Sequence, residues 1–354
     1  MPIFKVILQS FSCLLLLSVV IPFIRKDFWI FRIFDYPRMQ KFVLSGILIT
    51  LWLIFFNDPD HWFDWALVIA LVISMVYIFC LILPYTPLSR PMVKNMVARQ
   101  QDILSLLVAN VYQDNADYAR ILGQIEQRNP DIVFLVETDQ KWLEAVKVLR
   151  KNYPYYVEIP QDNTYGLLFY SRLPVKKHEV YYLVDREIPS ISVEVEFGSK
   201  IIRIFGLHPT PPVPQENMYS TERDAEILMV GKMVKEHKGP CLVIGDLNDV
   251  AWSYTTKLFL KSSGLLDPRR GRGVFSTYNA NYPLLRWPLD HYFISSHFRL
   301  IGMKVEKHIG SDHFPISISL VISHEDESGK IEATPEDREL ADEKIRAGLS
   351  GKPL

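Results

Sequence analysis

Two short segments of this 354-residue chain carry the residue types that chemistry needs. One is Gly245-Asp246-Leu247-Asn248 and the other is Ser311-Asp312-His313-Phe314-Pro315. Each sets short polar side chains at the end of an apolar run. Cys241-Leu-Val-Ile-Gly245 reads as a buried strand feeding Asp246 and Asn248. The residues from Phe314 to Leu320 alternate like a half-buried strand starting just after His313. Carboxylates and imidazoles at strand ends, facing one cleft, are what metal-assisted attack on a phosphate ester requires. Taken singly, an Asp-x-Asn after a strand is more often a turn or a helix cap.

The weight lies in how many such sites occur in order. Asn110 ends an apolar run that begins at Ile103, and Glu137 ends the run 131–136. His208 ends 201–207, and Asp290 opens 290–294. Around them the pattern alternates. Helical periodicity over 118–127, 140–149, 218–237 and 254–262 is interleaved with short strands over 165–171, 180–183, 190–197, 242–244 and 300–305. Helices interleaved with hairpins predict an α/β fold: a four-layer sandwich of two mixed sheets packed face to face, with helices outside. Strand ends on one side of such a sandwich converge, so the polar residues can line one cleft.

Ahead of this domain the chain is apolar. Residues 6–24 and 65–83 carry no charge and have the ~20 residues a bilayer crossing needs; 42–56 is shorter and also uncharged. No small-x-small cleavage site follows the first run, so three transmembrane helices are expected rather than a signal peptide. The organisation expected is a membrane region over 1–84, a linker over 85–100, a catalytic domain over 101–323 and a charged, disordered tail over 324–354, with a helix over 335–347, capped by Thr334 and opened by Pro335, as the alternative for the tail. Arg25, Lys26, Arg32, Arg38 and Lys41 follow the first span, whereas Asp58, Asp60 and Asp64 follow the second. That asymmetry puts the catalytic domain on the cytoplasmic side, although Lys5 argues weakly the other way. A formal net charge of −1 gives no overall field for nucleic acid, and the three cysteines form neither a disulfide framework nor a zinc site.

The ordered motifs are Asn110, Glu137, Tyr165-Gly166…Ser171-Arg172-Leu-Pro174, His208, Gly-Asp246-Leu-Asn248, Asp290-His-Tyr-Phe-Ile-Ser and Ser311-Asp312-His313-Phe-Pro315. Together, from about 104 to 320, they resemble the endonuclease/exonuclease/phosphatase superfamily. That group includes pancreatic deoxyribonuclease, abasic-site endonucleases, neutral sphingomyelinases and inositol polyphosphate phosphatases. The apolar N-terminus is similar to the branch of bacterial members anchored in the inner, or cytoplasmic, membrane. The resemblance implies a magnesium- or manganese-dependent hydrolase of phosphate esters. Glu137 would be the chief metal ligand, with Asn110 and Asp312 close by. Asp246 would orient or deprotonate the attacking water, and Asn248 would hold Asp246 and donate to the phosphorus centre. His313 would donate to the phosphoryl oxygens with Asp290 fixing its tautomer, and His208 would be a second donor.

Tyr165 is expected to line the cleft. Arg270 and Arg272, in the basic stretch Arg269-Arg270-Gly271-Arg272, are expected to close over an anionic group, with Arg286 able to join them. Aromatic residues are not concentrated there, so sequence-specific nucleic-acid reading is not expected. The lipid bilayer and a phosphate-ester substrate are the expected partners, with a membrane-tethered nuclease and a catalytically silent binding module as rival readings. His291, His297, His308 and His324 read as surface or core histidines.

Overall fold

The computed structural model describes residues 2–56 and 61–353, so Asp58 and Asp60 lie outside the described residues. The N-terminal region folds as helix α1 (Pro2–Val20), a four-residue helix α2 (Trp29–Arg32), and helices α3 (Arg38–Phe55) and α4 (Trp62–Ile82). Three candidate spans, Ile3–Phe23, Arg38–Phe55 and Trp62–Tyr85, are long and apolar enough to cross a membrane. They pack on one another through Leu8, Trp52, Leu67 and Leu71, and the buried Trp52 indole donates to Ser12 Oγ at 3.0 Å. Most other apolar side chains on these helices stay exposed, as a lipid-facing surface requires. Lys5 pairs with Asp64 and Gln9 Nε2 donates to the same carboxylate at 2.9 Å, marking the end of the bundle away from the domain.

The domain follows as β1 (Ile103–Asn110), α5 (Tyr118–Arg128), β2 (Ile132–Val136), α6 (Gln140–Val146), β3 (Tyr155–Ile159), β4 (Leu167–Ser171), β5 (Val175–Tyr181), β6 (Ser190–Phe197) and β7 (Lys200–Leu207). Then come α7 (Thr221–Glu236), β8 (Cys241–Asp246), α8 (Tyr254–Ser263), β9 (Asp290–Ile294), β10 (Phe298–Val305), β11 (Ile316–Ile322) and α9 (Pro335–Ser350). One sheet has the order β10-β11-β1-β2-β4-β3 and the other β5-β6-β7-β8-β9. Leu106, Val108, Phe134, Ile204, Ile244 and Ile318 interlock between the sheets. Helices α5 and α6 cover the first sheet, and α7, α8 and α9 cover the second. This is the four-layer sandwich expected.

Three departures have physical causes. Strand β3 was not expected, and β5 lies over 175–181 rather than 180–183; both are sheet edges, and the charged, mostly exposed residues of β5 show no alternation. The long helix begins at Thr221 rather than Met218. The residues before it pair with the connection between the first two spans: Trp29 N donates to Met218 O at 2.8 Å and Ser220 N to Asp27 O at 2.8 Å. The tail is not disordered. Thr334 and Asp337 close a capping box on α9, and Ala341, Lys344, Ile345, Ala347 and Gly348 are buried along it. Gly348 sits so close to α7 that an added Cβ would lie 2.2 Å from Ala225 Cβ.

Lys344 explains why a charged helix docks. Its ammonium lies 2.9 Å from both Asp27 and Asp224, which are fully buried. Arg32 reaches the same carboxylates at 2.9 and 3.6 Å, and Arg223 holds Asp224 at 2.8 Å. A buried charge survives only when paired and hydrogen-bonded. This cluster therefore ties the connection after the first span, α7 and the C-terminal helix into one body. Arg38 pairs with Asp35 and Lys41 donates to the Ser18 and Phe34 carbonyls, so much of the positive charge counted in that connection is consumed internally. The 85–100 segment also packs down: Tyr85 and Val93 are buried, and Gly271 N donates to Pro84 O at 2.7 Å.

Candidate active site

Strands β1 and β2 run parallel, as do β7 and β8, so four C-terminal ends from two facing sheets meet at one end of the sandwich. They bring Asn110, Glu137, His208 and Asp246 together, and the antiparallel β9 and β11 add Asp290 and His313. Asn110 is the bridge. Its side-chain amide donates to Glu137 Oε1 at 2.6 Å and to Asp246 Oδ2 at 3.1 Å. Its own carbonyl oxygen accepts from Tyr112 N at 3.0 Å. Asn110 thus acts as a donor that draws two carboxylates together rather than as an oxygen ligand. His208 Nε2 stands 4.0 Å from each of the same carboxylates. Asp246 Oδ1 accepts from Asn248 N at 2.9 Å, and Asn248 Nδ2 donates to Pro209 O at 3.0 Å.

On the other side of Asp246, His313 Nε2 lies 3.5 Å from Oδ2, while Nδ1 lies 2.8 Å from Asp290 Oδ2. Ser311 Oγ fixes the loop by donating to Asn110 O at 2.9 Å and accepting from His313 N at 2.9 Å. The Tyr278 ring packs 4.9 Å from the imidazole. Two side chains of the site sit on left-handed backbone, Glu137 and Asn248 with φ of 60° and 51°, and Gly245 adopts φ of 134°. An added Cβ on Gly245 would lie 2.0 Å from Leu207 O, so only glycine lets β8 approach β7 this closely.

Electrostatics divide the site. Burial raises the Glu137 pKa to about 7, against the Asn110 hydrogen bond that lowers it. Burial lowers His208 to about 4, so its imidazole is neutral, and its Nδ1 is buried without a hydrogen-bond partner. Burial pushes the His313 pKa down as well. The Asp290 and Asp246 carboxylates, with the Asp290 hydrogen bond, reverse this and raise its pKa to about 10. Asp246, Asp290 and His313 offer ligand atoms within 4.8 Å of one another. A doubly protonated imidazole has no free lone pair, however, so that trio is better suited to holding a proton than a metal. The oxygen donors of Glu137 and the partly buried Asp312, whose charge further raises the Glu137 pKa, suit a hard divalent cation. A half-buried carboxylate held up near neutrality by desolvation is what such a cation would relieve.

The remaining expected residues fall on both sides of the line. Tyr165 packs 5.5 Å from the His208 ring and gives its hydroxyl to Glu216, lining a pocket of about 240 Å³ with Asp185, Thr210 and Glu222. Arg270 and Arg272 do not close over the cleft. The Arg270 guanidinium stacks 5.5 Å from the Tyr85 ring, and Arg272 donates to Pro268 O at 3.0 Å, to Val93 O and to Asn95. Both pin the segment leaving α4, because its backbone carbonyls and ring lie within their reach. Arg286 packs on Phe314 at 4.8 Å. His291 is a core histidine between Arg269 Nη2 at 2.7 Å and Asp249 O at 2.8 Å.

Sequence reasoning missed Tyr36 and Arg223. Tyr36 Oη donates to Asn248 O at 2.9 Å and Arg223 Nη1 to the same carbonyl at 2.6 Å. The loop after β8 is therefore held in part by the connection following the first span. No local motif marks either residue, since each acts on a partner distant in sequence.

The profile of the Endonuclease/Exonuclease/phosphatase family matches residues 107–313, and the chain belongs to that family. A stretch of 102 residues is 30% identical to a UPF0294 protein of Vibrio campbellii, covering 29% of this chain and 35% of that one. The match thus spans about a third of that relative. Among solved structures, D. rerio TDP2 complexed with single strand DNA product is 20% identical with a TM-score of 0.53, over 62% of this chain and 98% of that one. An endonuclease/exonuclease/phosphatase family protein from Bacteroides thetaiotaomicron is 17% identical with a TM-score of 0.51, over the same shares of 62% and 98%. These likenesses establish the fold.

The pairing makes a pH prediction. With its pKa raised to about 10, His313 should stay protonated across the neutral range. The stability it contributes should be complete below its unfolded value of about 6.5 and fade as pH rises through about 10. Nuclear magnetic resonance of histidine-labelled full chain should show this titration, and Asp290→Asn should lower it. An ordinary midpoint near 6.5 that is indifferent to Asp290→Asn would contradict the pairing.

Proposed function

We propose that this chain is a membrane-anchored, magnesium-dependent phosphoesterase that hydrolyses a phosphodiester or phosphomonoester. Lipid head groups are among the substrates that anchoring brings within reach. The observation that carries the reading is the hydrogen-bonded series Glu137–Asn110–Asp246 meeting His313–Asp290 at one end of the sandwich. Asp246, aligned by Asn248 N, orients the attacking water and accepts its proton. His313, held charged by Asp290, donates to the phosphoryl oxygens as charge develops on them. Neutral His208 supplies a second donor, and the Asn248 side chain, fixed by Pro209 O, keeps the loop in register. Glu137 and Asp312 would hold Mg²⁺, with Mn²⁺ the alternative ion, and Asn110 would orient Glu137 toward it. Bound there, the cation neutralises phosphate charge and polarises the phosphorus–oxygen bond.

A nuclease is the rival within the class. The pocket beside Tyr165 is lined by Asp185, Glu187, Glu216 and Glu222, and Arg270 and Arg272 are engaged elsewhere. An acidic margin disfavours a polyanionic strand and leaves a small or lipid-borne ester as the better fit. A silent binding module would not need a protonated histidine aimed at a buried aspartate.

The test is a panel of p-nitrophenyl phosphate, bis-p-nitrophenyl phosphate, phospholipid and single-stranded DNA, with the full chain in detergent. Turnover is expected on small or lipid esters with Mg²⁺, and its loss in chelator. Glu137→Gln should reduce kcat by at least about 10³-fold and weaken Mg²⁺ binding without unfolding the protein. Full activity in chelator would contradict the metal assignment, and a clear preference for DNA would favour the nuclease.

We further infer, from the Lys/Arg asymmetry of the connections, that the domain faces the cytoplasm from a bacterial inner membrane. A topology reporter fused after the C-terminus should report the cytoplasmic side; a signal only from the outside would overturn this.

A further inference from the structure

The segment 278–289 leaves the body of the domain between α8 and β9 and contains no acidic residue. Its tip is apolar and unusually open: Tyr282 is 60% exposed, Leu284 82% and Leu285 48%. Leu284 above all stands clear of the domain. What lies beside them is the membrane region. Gln40, in the first turn of α3, donates from Nε2 to Leu284 O at 2.9 Å. Tyr36, just ahead of that helix, packs edge-on against Trp287 at 6.0 Å. The tip therefore stands level with the beginning of one candidate span, Arg38–Phe55, with its apolar side chains outward.

The same loop forms a wall of the active site. Tyr278 stacks on Trp287 at 6.0 Å and packs 4.9 Å from the His313 imidazole. Ala280 N donates to Asp312 O at 2.6 Å. Arg286 grips the loop from within, donating to Ala280 O at 3.1 Å and lying 4.8 Å from the Phe314 ring.

We infer that the 279–287 loop lies in the headgroup and upper acyl layer of the membrane that holds the spans, so that the bilayer itself covers one wall of the active site. Three features favour lipid over another protein as occupant. The apolar tip adjoins the start of α3 through the Gln40 hydrogen bond to Leu284 O. Its composition of Tyr, Trp, Leu and Arg without acidic residues is that of an interfacial anchor. Its height, at the start of a span, is where headgroups meet acyl chains. Membrane contact would thereby fix the backbone that carries Asp312 and packs on His313, linking the site to the presence of a bilayer.

The inference rests on reading α1, α3 and α4 as membrane spans, and the test separates the two. The full chain is placed in vesicles of phosphatidylcholine and phosphatidylglycerol, carrying one environment-sensitive fluorophore per variant. Leu284→Cys and, independently, Tyr282→Cys report the loop, in chains whose Cys13 and Cys80 are replaced by serine; Cys241 is buried and stays unlabelled. Cys13, within the first candidate span, reports the bilayer interior. Ser199→Cys, in the turn between β6 and β7 at the opposite end of the sandwich, reports water. Lipids bearing a doxyl quencher near the acyl carbonyl should remove about half or more of the fluorescence at 284 and 282 and leave 199 unchanged. Loop labels that behave like 199 would overturn the inference. So would labels shielded from water yet unquenched by lipid, which would identify a protein surface as the cover. Absence of quenching at Cys13 would instead remove the spans, and the inference with them.

Discussion

A carboxylate with almost no access to water sits at the end of β8, and the rest of the site follows from how its charge is satisfied. Asp246 is 1% exposed. An unpaired charge there would be prohibitive, so donors must come to it. They come from three separate strand ends: the Asn110 amide, the Asn248 backbone amide and the His313 imidazole. Each donor brings a second group. Asn110 brings Glu137, Asn248 brings the strained loop after β8, and His313 brings Asp290. One buried negative charge thus assembles a candidate acid, base and cation site, and the positive φ values of Glu137 and Asn248 are accepted in exchange.

The same logic operates a layer further out. Asp27 and Asp224 are buried between the spans and the domain, and Arg32, Arg223 and Lys344 neutralise them from three parts of the chain. Arg223 also donates to Asn248 O, as does Tyr36. The ion cluster that docks the domain on the N-terminal helices and the loop that aligns Asp246 therefore share a residue. The N-terminal helical region is structurally part of the body that carries the candidate site, not a tether to it.

Much of this was legible because it is local. Asp246, Asn248, Asp312 and His313 announce themselves as polar residues at the ends of apolar runs, and Glu137 does so after Ile132–Val136. The two-sheet sandwich was legible in the alternation of helical and strand periods. What escaped was set by partners far away in sequence. Arg270 and Arg272 carry charge suited to a phosphate, and only the path of residues 84–95 shows that they hold the chain instead. Lys344 looks solvated among its charged neighbours, yet its partner Asp27 lies 317 positions earlier. Edge strands β3 and β5 lack the buried alternation by which strands are recognised, since one face and one edge of each meet water. Asn110 stands beside Glu137 and Asp246, but its amide nitrogen, not its carbonyl oxygen, faces the carboxylates, an orientation set by Tyr112 N.

The central claim is that Asp290 and His313 work as one unit against Asp246. A double-mutant cycle on kcat, using the ester on which the full chain turns over, tests it most directly. His313→Ala is predicted to cost at least about 10³-fold and Asp290→Asn less, with Asp290→Asn/His313→Ala no worse than His313→Ala alone. Fully additive losses would contradict the account by giving Asp290 a task of its own.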